Sequence, residues 1–176
     1  MTAEELIKMP DDSYKYELVR GELIRMSPTG GQHGIVTINI SLPLASYVKS
    51  HNLGKVCGAE TGFKITQNPD TVRAPDVSFI ARDRIPEEIP DNYWPFAPDL
   101  AVEVVSSNDR YDEIQQKVKE YLDAGARMVW VADPKTRIIM VYRSLKEVLV
   151  LTEKDNLSGE DVIPGFTCSV ADLFAL

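Results

Sequence analysis

Apolar residues along this chain come in short runs cut by turn-forming clusters, and a few segments carry a clear helical stripe. Thr2 with Glu5 fits a capping box and opens a short helix through about Met9. Tyr16 to Val19 and Glu22 to Met26 predict two strands around Arg20-Gly21, a hairpin signal weaker than Asn-Gly. Lys55 to Thr66 is extended, broken by Gly58 and Gly62, and Gln67-Asn68-Pro69-Asp70 is a turn. Val77 to Ala81 and Asp99 to Val105 predict strands on either side of a long ordered loop that holds Pro86, Pro90, Pro95 and Pro98. A helix capped by Asp109 or Ser107 runs to about Ala124, is closed by Gly125, and carries the stripe Ile114, Val118, Tyr121 and Leu122. Strands follow at Met128 to Ala132, Ile138 to Tyr142 and Val148 to Leu151. A turn at Ile163 to Phe166 and a short helix from Val170 to Phe174 come last.

His33 to Lys49 has two readings. Val36, Ile38, Ile40, Leu42 and Leu44 alternate with polar positions, the period of a strand. Ile35, Ile38, Leu42 and Ala45 also meet helical spacing. Pro43 argues against a straight helix interior and equally against a central strand. Periodicity alone favours a strand. With no repeat, linker or low-complexity segment, residues 1–176 read as one α+β domain.

Composition narrows the class. The hydrophobic fraction of 44% and charged fraction of 26% are ordinary for a soluble globular protein. No apolar stretch is long enough to cross a bilayer, and the acidic start Met1-Thr2-Ala3-Glu4-Glu5 does not read as a secretory signal. Cys57 and Cys168 sit in core-like sequence, which suits buried thiols in a reducing cytoplasm better than a disulfide or a metal site. The net charge of −8 weakens a purely DNA-binding reading, since backbone binding calls for a basic face. It leaves a nuclease open, because catalytic carboxylates add negative charge that a bound metal offsets. Arg82, Arg84 and Arg110 are the best candidates for a local basic cluster.

One residue stands out chemically. The run Leu100-Ala101-Val102-Glu103-Val104-Val105 is apolar except for Glu103, and a buried strand excludes a lone charge unless something pairs with it. Asp76 opens a second apolar run directly after Pro75, and Lys117 follows on the predicted helix. Two strand carboxylates and an ammonium make a cage suited to Mg²⁺ and a phosphodiester. Each residue also has a plainer reading. Asp76 could be a solvated strand entry, Glu103 a buried ion pair with Lys117 or Arg127, and Lys117 a surface lysine lying over a core edge. His33, after a glycine-rich loop, is a candidate ligand or base, or a capping histidine. Glu17 could face the same cleft or water. Phosphate-loop, His-Glu-x-x-His, Gly-x-Ser-x-Gly and zinc-spaced cysteine motifs are absent.

Pro75-Asp76, Glu103 in an apolar strand and a following helix resemble the core of the PD-(D/E)XK nuclease superfamily. The likeness is closest to its small Uma-type restriction endonuclease-like branch. It rests on residues 16–23, Pro28 to His33, Val72 to Val77, Asp99 to Ser106, Lys117 to Tyr121 and Val129 to Pro134, in that order along nearly the whole chain. It implies a central mixed sheet flanked by helices, with an N-terminal hairpin and helix added. It also makes residues 33–50 the first core helix, against the periodicity. The superfamily's lysine two residues after the glutamate is replaced here by Val105, and Lys117 is the match from the next helix. The resemblance implies a cytoplasmic Mg²⁺- or Mn²⁺-dependent DNA endonuclease, with Asp76 and Glu103 as metal ligands and Lys117 beside the attacking water. Glu17 and His33 would be further members of the site, and a homodimer would be the working form. The rival reading is a non-catalytic nucleic-acid-binding or protein-interaction module that kept the fold.

Overall fold

The structure is a computed structural model and describes residues 1–10 and 12–176. Its centre is a six-stranded sheet assembled from β3 (Gly54–Gly58), β6 (Val77–Ala81), β7 (Leu100–Val104), β8 (Met128–Asp133), β9 (Ile138–Ser144) and β10 (Glu147–Leu151). The strand order is β10-β9-β8-β7-β6-β3, and only the β7–β8 pair is parallel. A parallel pair needs a crossover, and α3 (Tyr111–Asp123) supplies it. A second, four-stranded sheet, β2-β1-β5-β4, is built from β1 (Lys15–Val19), β2 (Glu22–Met26), β4 (Phe63–Thr66) and β5 (Thr71–Arg73). A small ribbon of β11 (Asn156–Ser158) and β12 (Thr167–Ser169) leads into α4 (Val170–Leu173).

Two helices cover the central sheet from opposite sides. Leu100, Val102 and Val104 of β7 pack with Val36, Ile40, Leu44 and Val48 of α2 (Gly31–Ser50). Ala101 of β7 packs with Ile114, Val118 and Tyr121 of α3. Alternation along β7 therefore turns Glu103 to the α3 side. The predicted α3 stripe is borne out, with Leu122 half-buried at its edge. The helix starts later than expected. Arg110 is its first flanking residue, its N–H donating to the Glu113 carboxylate at 3.2 Å, while Asp109 accepts from Ser106 N–H at 2.7 Å in the preceding turn.

The strand period over residues 33–49 is overturned, because the whole segment lies in one helix. Its buried positions recur every fourth residue, but apolar residues also occupy the outer face, so alternation appears without a strand. Pro43 cannot donate to the preceding turn, which costs about 3 kcal/mol or more. Burying Val36, Ile40, Leu44 and Val48 is worth about 1.5–3 kcal/mol each and outweighs that cost. Two further local signals hold. Thr2 and Glu5 form the reciprocal capping box of α1 (Ala3–Ile7). Arg20 and Gly21 both take positive φ, as the β1–β2 turn requires.

Candidate active site

Glu103 is almost fully buried, and both carboxylate oxygens are bound from α3. Lys117 Nζ donates to Oε2 at 3.0 Å, and Tyr121 Oη donates to Oε1 at 2.8 Å. Lys117 and Tyr121 stand one helical turn apart, which is why a single helix grips both oxygens. Burial pushes the Glu103 carboxyl up to about 7 even though the Lys117 charge opposes the shift, and the charges of Asp76 and Glu17 add to the rise. Burial works against the Lys117 ammonium, but Glu103 and Glu17 outweigh it and hold its pKa above the usual lysine range. The Tyr121 phenol, buried beside the same carboxylates, also stays protonated.

Asp76 lies immediately before β6. The β6–β7 register pairs Val77 with Val102, so one step further out Asp76 stands beside Glu103 at the end of the strand pair. Its Oδ2 accepts Val104 N–H at 2.8 Å and lies 3.2 Å from His33 Nε2. His33 comes from the first turn of α2, so the strand end is where the two sides of the sheet meet. Burial disfavours a charged imidazole, but the hydrogen bond and charge of Asp76, with Asp109 and Glu103 behind it, raise the His33 pKa above its ordinary value. A proton on Nε2 donates to Asp76, and the contact favours the protonated ring.

Glu17 is drawn into a different arrangement. Its Oε2 accepts from Arg73 Nη1 at 2.7 Å and its Oε1 from Ala74 N–H at 3.0 Å. Arg73 also grips Glu120 of α3, at 2.7 and 2.8 Å. This buried triad ties β1 and β5 to α3 and sets a second carboxylate charge near Glu103 and Lys117. Sequence reasoning missed Arg73, the Tyr121 hydroxyl and the charge of Asp109. For Tyr121 a signal existed in its position four residues after Lys117; for Arg73 the partners are too distant along the chain to be guessed. Two of the three arginines of the expected basic cluster are differently employed. Arg84 pairs with Asp99 at 3.0 Å and lies over the Phe96 ring, and Arg110 pairs with Asp112 at the start of α3.

The donor chemistry fits a hard, oxygen-seeking cation. Mg²⁺ keeps several waters and is held by one or two carboxylates together with substrate oxygens. Two carboxylates beside one strand end meet that demand, and a carboxyl raised toward neutrality by burial gains from a nearby cation. Among the described residues, no group of three or more His, Cys, Asp or Glu side chains gathers as a metal cage. Among the same residues, no helix is long and apolar enough to cross a membrane.

Comparison with known proteins agrees with this architecture. A crystal structure described as "a putative nuclease belonging to DUF820" from Anabaena variabilis ATCC 29413 superposes with a TM-score of 0.87. It is 24% identical, and the match covers 99% of this chain and 97% of that one, a likeness that shows the shared fold. None of the curated proteins matches the chain. The Uma2 family model, described as "Putative restriction endonuclease", matches residues 3–171 and so spans both candidate carboxylates, Lys117, His33 and Glu17. That match spans nearly the whole chain, and the chain belongs to the Uma2 family of restriction endonuclease-like proteins.

Proposed function

We propose that this protein is a divalent-metal-dependent endonuclease that hydrolyses phosphodiester bonds in DNA, with Mg²⁺ or Mn²⁺ as its cofactor. The observation that carries the reading is the Lys117–Glu103 contact beside Asp76: an ammonium and two carboxylates at one strand end. Family membership supports nuclease activity and a nucleic-acid substrate. Asp76 and Glu103 would hold the ion, which when bound supplies Lewis-acid stabilisation of the phosphate and a more acidic water.

The chain's own residues do the rest. Lys117 stays protonated, so it serves as a hydrogen-bond donor and a positive charge, not as the general base. It orients the attacking water and offsets charge building on the pentavalent phosphorus. Tyr121 fixes the carboxylate rotamer of Glu103 from the other oxygen. His33 and the Val104 N–H hold Asp76 in place. Glu17 acts through Arg73 as a positioning residue, keeping α3 seated so that Lys117 reaches the strand end. The acidic net charge argues against a single broad basic face, and the superfamily resemblance favours a substrate cleft formed between two copies.

The test is cleavage of plasmid, single-stranded and branched DNA with Mg²⁺, with Mn²⁺ and with chelator, alongside calorimetric titration of Mn²⁺ into wild type and Asp76→Ala. Metal-dependent cleavage and loss of Mn²⁺ binding in the variant are expected. Absence of cleavage with every metal and substrate would move the assignment to a non-catalytic module that kept the fold.

A further inference from the structure

Helix α2 has two apolar faces, and the fold uses one. His33, Val36, Ile40, Leu44 and Val48 point inward. On the opposite side Ile35, Ile38 and Leu42 are 45%, 61% and 69% exposed. At about 100° per residue these three fall on one stripe, roughly opposite the buried one. From Gly31 to Val48 the helix carries no Lys, Arg, Asp or Glu, on a chain whose net charge is −8. Asn39 Nδ2 donates to the carbonyls of Leu173 and Ala175 at 3.2 and 2.8 Å, which holds the C-terminal residues against the flank of α2.

We infer that the outer face of α2 is the surface on which two copies of this chain associate, helix against antiparallel helix about a two-fold axis. The charge pattern selects this occupant. A face without cations does not hold nucleic acid or an anionic membrane surface. Two chains of −8 repel one another, and a patch free of carboxylates is where that repulsion costs least. The pattern of side-chain sizes is also self-complementary. An axis through the level of residue 40 sets Ile38 against the other copy's Leu42 and Ile35 against its Ala45, while Gly34 and Ser46 meet as a small pair that lets the two helices approach closely. Antiparallel packing also sets each helix's positive end beside the other's negative end. A contact through one helix face lies at the small end of protein interfaces, where association is weak and concentration-dependent. This gives the dimer of the proposed function its surface, and it stands or falls without any measurement of cleavage.

Sedimentation velocity over a micromolar concentration series tests it. Wild type should show mass-action dimerisation, and Ile38→Glu and Leu42→Glu should each weaken it at least tenfold while melting like wild type. Val150→Glu, at the exposed β10 edge, should dimerise as wild type does. A wild type that stays monomeric overturns the inference. So do Leu42→Glu and Ile38→Glu variants that dimerise normally, or a dimer lost in Val150→Glu. Hydrogen exchange of the wild type alone gives a second reading that needs no variant. Protection that grows with concentration in peptides from 31–50 supports the α2 contact, and growth confined to other segments refutes it.

Discussion

Lys117 reaches Glu103 from a helix fourteen residues downstream, ammonium to carboxylate at 3.0 Å, with 13% and 4% of the two side chains exposed. The two partners are not energetically equivalent. Glu103 is pushed up to about 7 and can take a proton when left alone, whereas Lys117 is held firmly charged. Glu103→Ala removes the carboxylate that chiefly holds the buried Lys117 ammonium and leaves it only the more distant charge of Glu17 against burial, a change that costs about 3–5 kcal/mol in such settings. Lys117→Met leaves a carboxyl that protonates and keeps Tyr121 as partner, and should cost distinctly less. Urea denaturation at pH 7 compares them; equal losses would contradict the asymmetry.

The same carboxyl makes stability depend on pH. Its folded pKa of about 7 lies above the ordinary 4.5, so between those values the folded state binds more protons than the unfolded one. Its contribution is fully present below pH 4.5 and is lost as the pH rises through about 7. His33, raised above 6.5 by Asp76 against burial, changes in the same direction: its contribution is present below 6.5 and lost at higher pH. Glu103→Gln should flatten the decline in stability between pH 4.5 and 7, as read by denaturant midpoints. A divalent ion needs the ionised carboxylate, so the Mn²⁺-induced rise in Tm should be larger at pH 8 than at pH 6. A Tm rise independent of pH would place the ion away from Glu103.

Arg73 lies between Glu17 and Glu120 with all three side chains largely shielded from water. Removing it strands two carboxylates, one of them nearly fully buried. Arg73→Ala should cost about 3–5 kcal/mol, the range for breaking a buried ion pair from one side. Arg73→Lys should recover only part of this, because an ammonium cannot fork between two carboxylates as a guanidinium does. Full recovery by lysine would show that charge alone, without the planar geometry, holds the triad.

How far these features were legible depends on whether their cause is local. Glu103 was legible because a lone charge in an apolar strand has few physical explanations, and the structure supplies the pairing that burial demands. The α3 stripe was legible because one face is apolar and the other polar. Helix α2 was not, because apolar residues on both faces erase the period that distinguishes helix from strand. The resemblance of 28–33 and neighbouring segments to a nuclease family settled what periodicity could not. Arg73 was opaque for another reason: its partners lie 56 and 47 residues away, and only the folded chain brings them together. Asp109 had the right residue type for a helix cap, but the turn at Ser106 claims its carboxylate first.

Lys117 and Lys119 share a helix, a charge and almost the same neighbours, and the fold separates them. Lys117 borders the buried stripe and meets Glu103, whereas Lys119 is exposed and pairs with Asp123 one turn on. About 200° of helical rotation lies between the two side chains. If Lys117 orients water and offsets transition-state charge, Lys117→Ala should lose turnover by a factor of about 10²–10³, the size seen when one such donor is removed. Lys119→Ala should cleave as wild type does. Mn²⁺ binding should largely survive in Lys117→Ala, because the carboxylates hold the ion, so the loss belongs in kcat and not in metal affinity. Calorimetry and single-turnover cleavage separate the two. Equal loss in both lysine variants would mean general attraction of phosphate by positive charge, and Lys117 would then have no catalytic part.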